Sequence, residues 1–387
     1  MRPVVPSSAV PIQLRHWRIS SARPTWIFGG AVRDLLLGRQ PYDWDLAVRG
    51  DALEASRRLA KFCRGRWIEL NPAFQQYRVL AGKRQYDLQP LPAGDLEGFL
   101  RSRDFSVNAL ALELPAASGA TLDVLDPADG LRDLKTKTLR PIPGSLAADP
   151  VRALRGIRTA LELGFRLPPR TIAEIRAVGP KLWTSAAERI RDELMRIILF
   201  WPERAVLVRL ALALVLGPQG PMEPRLKRLR LQGVAPDRRP LLTLAAALQR
   251  DHARTGRRLR LSRAQVRFLD VWERLRSASV STDWEWLLGL ARSGENPLEI
   301  SRVAVAAGNP RQRILALRNE RYATRLKAPM LDGNEAGRLA EVSGPALGRL
   351  LAELQVEQAL GKIRNKKQAI HWIRHSNTGT QRKPSLG

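Results

Sequence analysis

Trp26-Ile27-Phe28-Gly29-Gly30-Ala31-Val32-Arg33-Asp34, followed by Leu35-Leu36-Leu37-Gly38 and then by Tyr42-Asp43-Trp44-Asp45-Leu46-Ala47-Val48, is the stretch whose reading decides the fold. A short apolar strand runs into paired glycines, and the glycines run into a helix start. Glycine lets the backbone approach an anion closely, the first N–H groups of a helix point at it, and a neighbouring arginine offers phosphate a bidentate pair. Gly29, Gly30 and Arg33 are thus candidate phosphate-binding residues, against the plainer alternative of a tight turn. Asp43 and Asp45 open the next strand at i and i+2, which turns both to one face. Like charges so placed repel unless a cation neutralises them, and hard oxygen ligands suit Mg²⁺, which also binds phosphates. A paired Asp in a surface turn is the competing reading. Asp87, in the strand-like Gln85-Tyr86-Asp87-Leu88, is a candidate third carboxylate facing the same metal.

Working outward, Arg66 to Leu70 and Tyr77 to Leu80 also read as strands, so the region from Trp26 to about Leu125 is a mixed α/β unit. After the break Pro141-Ile142-Pro143-Gly144 the apolar positions take helical spacing: Leu154, Ile157 and Leu161 share one face, and Ile190, Leu194, Ile197 and Ile198 share another. Further breaks at Phe200-Trp201-Pro202, Gly217 to Pro221 and Ala328-Pro329 divide the remainder. The chain is expected to comprise an α/β head (1–140) and an all-α neck (141–200), body (201–327) and tail (328–375), with a polar, aperiodic end (376–387).

The 387 residues carry 65 Lys and Arg against 37 Asp and Glu, a formal charge of +28, which favours a polyanionic partner through counterion release. A basic surface without a dedicated ligand, or a ribosome-associated protein, is the alternative, and charge does not separate binder from enzyme. The single cysteine, Cys63, excludes an internal disulfide framework. It falls among Leu59, Ala60 and Phe62 and is expected to be buried by packing. No Cys or His cluster has zinc spacing, and His16, His252, His371 and His375 are scattered. No signal-peptide core is present at the N-terminal stretch, and the most apolar segment, Ala205 to Gly217, is too short to span a bilayer. A soluble cytoplasmic protein is expected, with no membrane and no stable protein partner implied.

Gly29-Gly30-Ala31-Val32-Arg33-Asp34 with Asp43 and Asp45 resembles the first motif of the class II tRNA nucleotidyltransferases and their poly(A) polymerase relatives. Arg103-Asp104-Phe105-Ser106-Val107-Asn108-Ala109 is similar to a second motif of that family, and Asp126, Pro127, Gly130, Asp133 and Leu134 to the segment that closes its head. Asp149, Arg152, Arg155 and Arg158, then Leu163-Gly164-Phe165, resemble the nucleotide-selecting helix, and Glu188 to Leu194 the helix after it. Leu331 to Glu335, Gly344 to Gly348 and Gly361 to Asn365 are similar to the family's C-terminal tail. The resemblance covers about Trp26 to Trp372 and leaves the body, Glu203 to about Leu326, without a motif.

The resemblance implies a polymerase-beta-like nucleotidyltransferase head with a mixed β-sheet. It implies template-independent addition of C, A or both from CTP and ATP to the 3′ end of tRNA. Asp43 and Asp45 would hold two Mg²⁺ ions, Gly29, Gly30 and Arg33 the triphosphate, and Arg103 and Asp104 the triphosphate and ribose. Asp149, Arg152, Arg155 and Arg158 would face base and phosphates. Cytosine and adenine both present an amino donor beside a ring-nitrogen acceptor, the reverse of uracil and guanine, so an Asp acceptor beside an Arg donor reads C and A together. The alternatives are a poly(A) polymerase acting on other RNA 3′ ends, and a non-catalytic RNA-binding protein on the same scaffold. Taken on their own, the spaced arginines read as a solvated helix stripe, Asp104 as a helix cap, and Asn108 as a structural amide.

Two departures stand out: Ala148 replaces the family's usual glutamate before the aspartate, and Ser102 replaces the first of two arginines. The connection from Asp87 to Arg103 is short, carries Pro90 and Pro92, and reads as helical from Asp95 to Leu100. Family members that build the whole CCA end carry a longer, mobile loop there, so an enzyme that adds CC alone is expected.

Overall fold

The computed structural model describes residues 4–17, 24–92, 95–114, 121–217, 226, 228–232, 234–248, 250–277 and 282–376. The chain divides into two compact units, Met1–Ser185 and Ala186–Gly387. The polar end expected at 376–387 lies outside the described residues but for Ser376.

The first unit is built on an eight-stranded mixed sheet, in spatial order β1-β8-β7-β2-β3-β6-β5-β4. Its strands are β1 (Val4–Pro6), β2 (Thr25–Phe28), β3 (Asp43–Val48), β4 (Arg66–Asn71), β5 (Gln76–Ala81), β6 (Arg84–Pro90), β7 (Ala111–Glu113) and β8 (Thr121–Leu125). Every pairing is antiparallel except β3 with β6, which aligns Asp45 with Asp87. Alternation along these strands separates two faces. On one, Trp44, Leu46, Tyr86, Leu88, Tyr77 and Val79 are buried, and helix α1 (Ala52–Phe62) packs on β4, β5 and β6. Asp51 caps that helix by accepting from the Leu53 and Glu54 N–H groups. Cys63, expected inside, is half-buried, because it caps the helix C-terminus where the chain turns through Arg64 at φ 51°.

The other face is divided. Beneath β2 and β7 lies an apolar cluster of Trp26, Phe28, Ala47, Leu91, Leu100, Ala109, Ala111 and Ile142, with Leu96 and Phe99 against it. Leu96, Phe99 and Leu100 come from helix α2 (Leu96–Arg101), the helix foreseen in the short connection, capped by Asp95. Under β3, β6, β5 and β4 the same face is open: Asp43, Arg66, Ile68 and Leu70 are exposed and Asp45, Gln76, Arg78, Asp87 and Gln89 are half-exposed.

The unit closes with helices α3 (Gly130–Lys135), α4 (Ser145–Ala148), α5 (Arg152–Leu163) and α6 (Pro169–Val178). Leu154, Ile157 and Leu161 are all buried on α5, as their spacing requires. Gly156 sits flat on the Phe105 ring: a Cβ there would lie 2.5 Å from Phe105 Cζ.

The second unit is helical throughout its described residues. Ala187–Ile198 buries Ile190, Leu194, Ile197 and Ile198, and Ala205–Leu216 follows. Among the described residues no helix is long and apolar enough to cross a membrane. The last three helices, Gly333–Ala340, Gly344–Ala359 and Lys366–Ser376, enclose their own cluster of Leu331, Ala336, Ala340, Leu354, Ile363, Ala369 and Ile373. Tail motif residues act here as caps: Asp332 accepts from Glu335 N–H, and Asn365 from Gln368 N–H.

Candidate active site

Gly29 ends β2 at φ 76°, a conformation open to glycine, and a Cβ there would face Asp45 Oδ2 at 3.5 Å. The glycine turn and the carboxylate strand are therefore in contact. The helix Gly30–Leu36 begins there and carries Arg33 back over Gly30, with Arg33 Nη2 3.5 Å from where a Gly30 Cβ would stand. Arg33 Nε donates to Asp34 Oδ1 at 2.8 Å and its Nη1 to Asn108 Oδ1 at 2.8 Å. Asn108 Nδ2 in turn donates to Asp104 Oδ1 at 2.9 Å, and Asp104 Oδ2 lies 3.6 Å from Arg155 Nη1. One relay thus joins the glycine turn, the Arg103–Asn108 motif and α5.

That relay is held in place from behind. Ser145 Oγ and Ile142 N–H donate to the Asp104 carbonyl at 2.8 and 3.1 Å. The buried Asp133 accepts from Ser106 Oγ and, at 3.0 Å, from Arg140 Nε. Gly130 passes against the Ser106 carbonyl, where a Cβ would stand 2.3 Å away. Asp126 accepts from the Gly130 and Leu131 N–H groups at 2.7 and 3.0 Å and so starts α3. The segment read as closing the head does so by tying Ser106 down.

Arg103 lies with its guanidinium 4.8 Å from the Phe28 ring centre and 5.5 Å from that of Phe99, which meet edge to face. Burial lowers its pKa, with the Asp45 and Asp104 charges opposing. Arg152 Nη1 donates to the Ser102 and Arg103 carbonyls at 3.2 and 3.4 Å, and its Nε is 3.8 Å from Asp149 Oδ2. The Asp149 and Arg152 pair read for base selection is therefore adjacent, and position 102 is engaged through its backbone. Arg158 pairs with Glu162 at 2.6 Å one turn along α5. The structure brings Gly29, Gly30, Arg33, Asp43, Asp45, Arg103, Asp104, Arg152 and Arg155 into one region; for Arg158 it shows the Glu162 partner.

Burial raises the Asp45 carboxyl to about 6, the nearby Asp87 and Asp43 charges add to this, and Arg103 and Arg78 oppose it. Two carboxylates on one strand face, each raising the cost of the other's charge, fit a hard divalent cation. Asp87 does not join them: its two oxygens accept from Arg78 Nε and Nη2 at 2.7 Å each. Among the described residues no three His, Cys, Asp or Glu side chains gather as a metal site. Asp87, suggested as a third ligand, is held in this structure by Arg78 on the neighbouring strand.

Asn108, read as a structural amide, bridges Arg33 and Asp104. Its spacing of four from Asp104 was the available signal; its link to Arg33, 75 positions away, was not readable.

Residues 25–97 match the poly(A) polymerase head domain model. A CC-adding tRNA nucleotidyltransferase of Deinococcus radiodurans is 32% identical over 264 residues, covering 60% of this chain and 70% of that protein. The chain belongs to the tRNA nucleotidyltransferase family. A CC-adding tRNA nucleotidyltransferase of Geobacter sulfurreducens is 38% identical over 176 residues, 45% of this chain and 40% of its own. An A-adding tRNA nucleotidyltransferase of Deinococcus radiodurans is 40% identical over 178 residues, 44% and 39%. The chain thus spans about two fifths of the length of these last two nucleotidyltransferases. In fold it is similar to the Thermotoga maritima CCA-adding enzyme complexed with tRNA, with TM-score 0.65 and 21% identity, over 97% of this chain and 100% of that one.

Proposed function

We propose that this chain is a cytoplasmic, template-independent nucleotidyltransferase that extends the 3′ end of tRNA from CTP, and that it adds CC and leaves the terminal A to another enzyme. The acceptor 3′-oxygen bonds to the α-phosphorus as the bond from that phosphorus to the bridging oxygen breaks. Pyrophosphate leaves with the bonding electrons, and the hydroxyl proton passes to water.

The observation that carries this reading is the relay from Arg33 through Asn108 and Asp104 to Arg155, set against the Asp43 and Asp45 strand end. Gly29 and Gly30 supply close backbone approach for the triphosphate, and Arg33, held rigid by Asp34 and Asn108, supplies a fixed cation beside it. Asp104 and Arg103 orient the ribose and phosphates, and Asp149 with Arg152 presents an acceptor and a donor to the base. Asp43 and Asp45 would hold Mg²⁺, which when bound neutralises charge at the reacting phosphate and activates the attacking hydroxyl. The tail, 328–375, would engage the tRNA body.

Restriction to CC is supported by the packing of the link between β6 and Arg103. Leu91, Leu96, Phe99 and Leu100 are seated in or against the apolar cluster, so the segment that would have to rearrange for a second base is anchored. The chain is similar to relatives in both the CC-adding and the A-adding groups, so an assay decides. tRNA lacking its 3′ end is incubated with CTP and ATP together and the products are sequenced. Products ending in CC are expected; a majority ending in CCA would refute the CC restriction, A-tailing of unrelated RNA would favour a poly(A) polymerase, and no addition would refute the activity.

A further inference from the structure

The relay of Arg33, Asn108, Asp104 and Arg155 approaches Asp45 from the β2 side. Beside Asp45 the sheet is open toward β5 and β4, and a cavity of about 150 Å³ is lined by Asp45, Arg103, Phe28, Asp87 and Leu88 and by Leu70, Gln76 and Gln89. Nothing in the proposed handling of the triphosphate uses those last three residues. Cross-strand register explains why they meet. Asp45 pairs with Asp87, Asp87 with Arg78 and Arg78 with Ile68, so one row of side chains runs from the carboxylate strand to the edge strand on the open face. The next row holds Gln89 and Gln76, and the irregularity in β4 between Glu69 and Asn71 turns Leu70 toward them.

In-line displacement needs the attacking hydroxyl and the leaving pyrophosphate on opposite sides of the α-phosphorus. With the triphosphate on the glycine-turn side, the attacker enters from the open side. Resting on the function proposed above, we propose that this cavity is the subsite for the acceptor's 3′-terminal nucleotide, with Leu70 under its base and Gln76 and Gln89 at its edge. Leu70 is 42% exposed and Ile68 39%, apolar surface beside a polar cavity that a base would cover.

Gln76 Nε2 donates to Gln89 Oε1 at 3.0 Å. In this arrangement the Gln76 carbonyl is left as an acceptor and the Gln89 amino group as a donor for a ligand. A cytosine or adenine seated with its amino group at Gln76 and its ring nitrogen at Gln89 is matched, whereas uracil or guanine in the same seat sets acceptor against acceptor and donor against donor. The subsite therefore selects what the enzyme extends: an end in C, as left by one round of C addition, or in A, is extended in preference to one in U or G.

Acceptor-stem RNAs differing only in a terminal C, A, U or G, extended with saturating CTP, test this. The wild-type chain should extend C and A ends about tenfold more efficiently than U and G ends. Gln76→Leu and Gln89→Leu should erase that preference and raise KM for the acceptor about five- to tenfold while KM for CTP stays unchanged. 2-Aminopurine at the acceptor's 3′ end should brighten on binding as it leaves the stack of its neighbouring base for Leu70, and Leu70→Ala should abolish that rise, read without CTP and therefore without catalysis. Preference retained in both glutamine variants overturns the proposal, and so does a rise in KM for CTP alone, which would give the cavity to the incoming nucleotide. If the wild-type chain extends no RNA, the activity fails, and the 2-aminopurine signal in wild type against Leu70→Ala still decides the subsite.

Discussion

Asp45 is the residue whose ionisation couples the fold to the proposed chemistry. Burial first, then Asp87 and Asp43, raise its carboxyl to about 6, so the folded chain binds that proton more tightly than the unfolded chain does. Below about pH 4 both states are protonated and Asp45 costs nothing. Between about pH 4 and 6 the cost grows as pH rises, and above about 6 it stays constant at roughly 3 kcal/mol or less. Asp45→Asn is therefore expected to melt above wild type at pH 7.5 in chelator and level with it at pH 4, while losing nucleotide addition. Mg²⁺ should lift the wild-type melting temperature at pH 7.5 and leave the variant's unmoved. Equal melting of the two proteins at both pH values would show that Asp45 carries no such cost. The position and type of Asp43 and Asp45 were legible from two carboxylates at the head of an apolar strand. The occupation of Asp87 was not, because Arg78 reaches it across β5 and β6 through a register that composition does not specify.

At the scale of elements, β3, β5 and β6 were readable from an alternation that marks a face, β2 from a short apolar run before Gly29, and β4 from Trp67 and Ile68. β1 and β7 have three residues each and were missed because strands this short are defined by their neighbours more than by their own sequence, whereas the five residues of β8 carry a clean alternation that went unread. The helix α5 shows how sequence and packing combine. Its apolar spacing gave the buried face, but the depth at which it sits is set by Gly156 on the Phe105 ring, a pairing that no local pattern reveals. Phe105 is fully buried and adjoins Asp104, so this seat also fixes the approach of Arg155 to Asp104. Gly156→Ala must displace either the ring or the helix, and is expected to cost about 1–3 kcal/mol in denaturant unfolding. The same change should raise KM for CTP several-fold, since the relay loosens. Unchanged stability together with unchanged KM would mean that α5 does not depend on this seat.

For the whole molecule the formal charge of +28 predicts binding dominated by phosphate neutralisation, but it does not say where the phosphates lie. In the second unit, the helix Asp283–Ser293 packs on the tail helix Gly344–Ala359, with Trp284 Nε1 donating to Glu357 at 3.1 Å and Arg292 3.4 Å from Glu353. Removing the tail would strip this interface and confuse weakened binding with weakened packing. Substitution of exposed tail cations is the cleaner probe. Arg364, Lys367 and Arg374 are all exposed on the last motif and helix. If the tail reads the tRNA body through phosphates, replacing the three with Ala should weaken tRNA binding and lower the slope of log affinity against log salt. The slope is expected to fall by about 0.7–0.9 for each phosphate left without its cation. A short oligonucleotide carrying only the acceptor end should lose little affinity and keep its slope, because it reaches the first unit's site without the tail. Equal losses for tRNA and oligonucleotide would instead make these cations part of a general electrostatic field, acting on any polyanion, and would remove the tail from tRNA recognition.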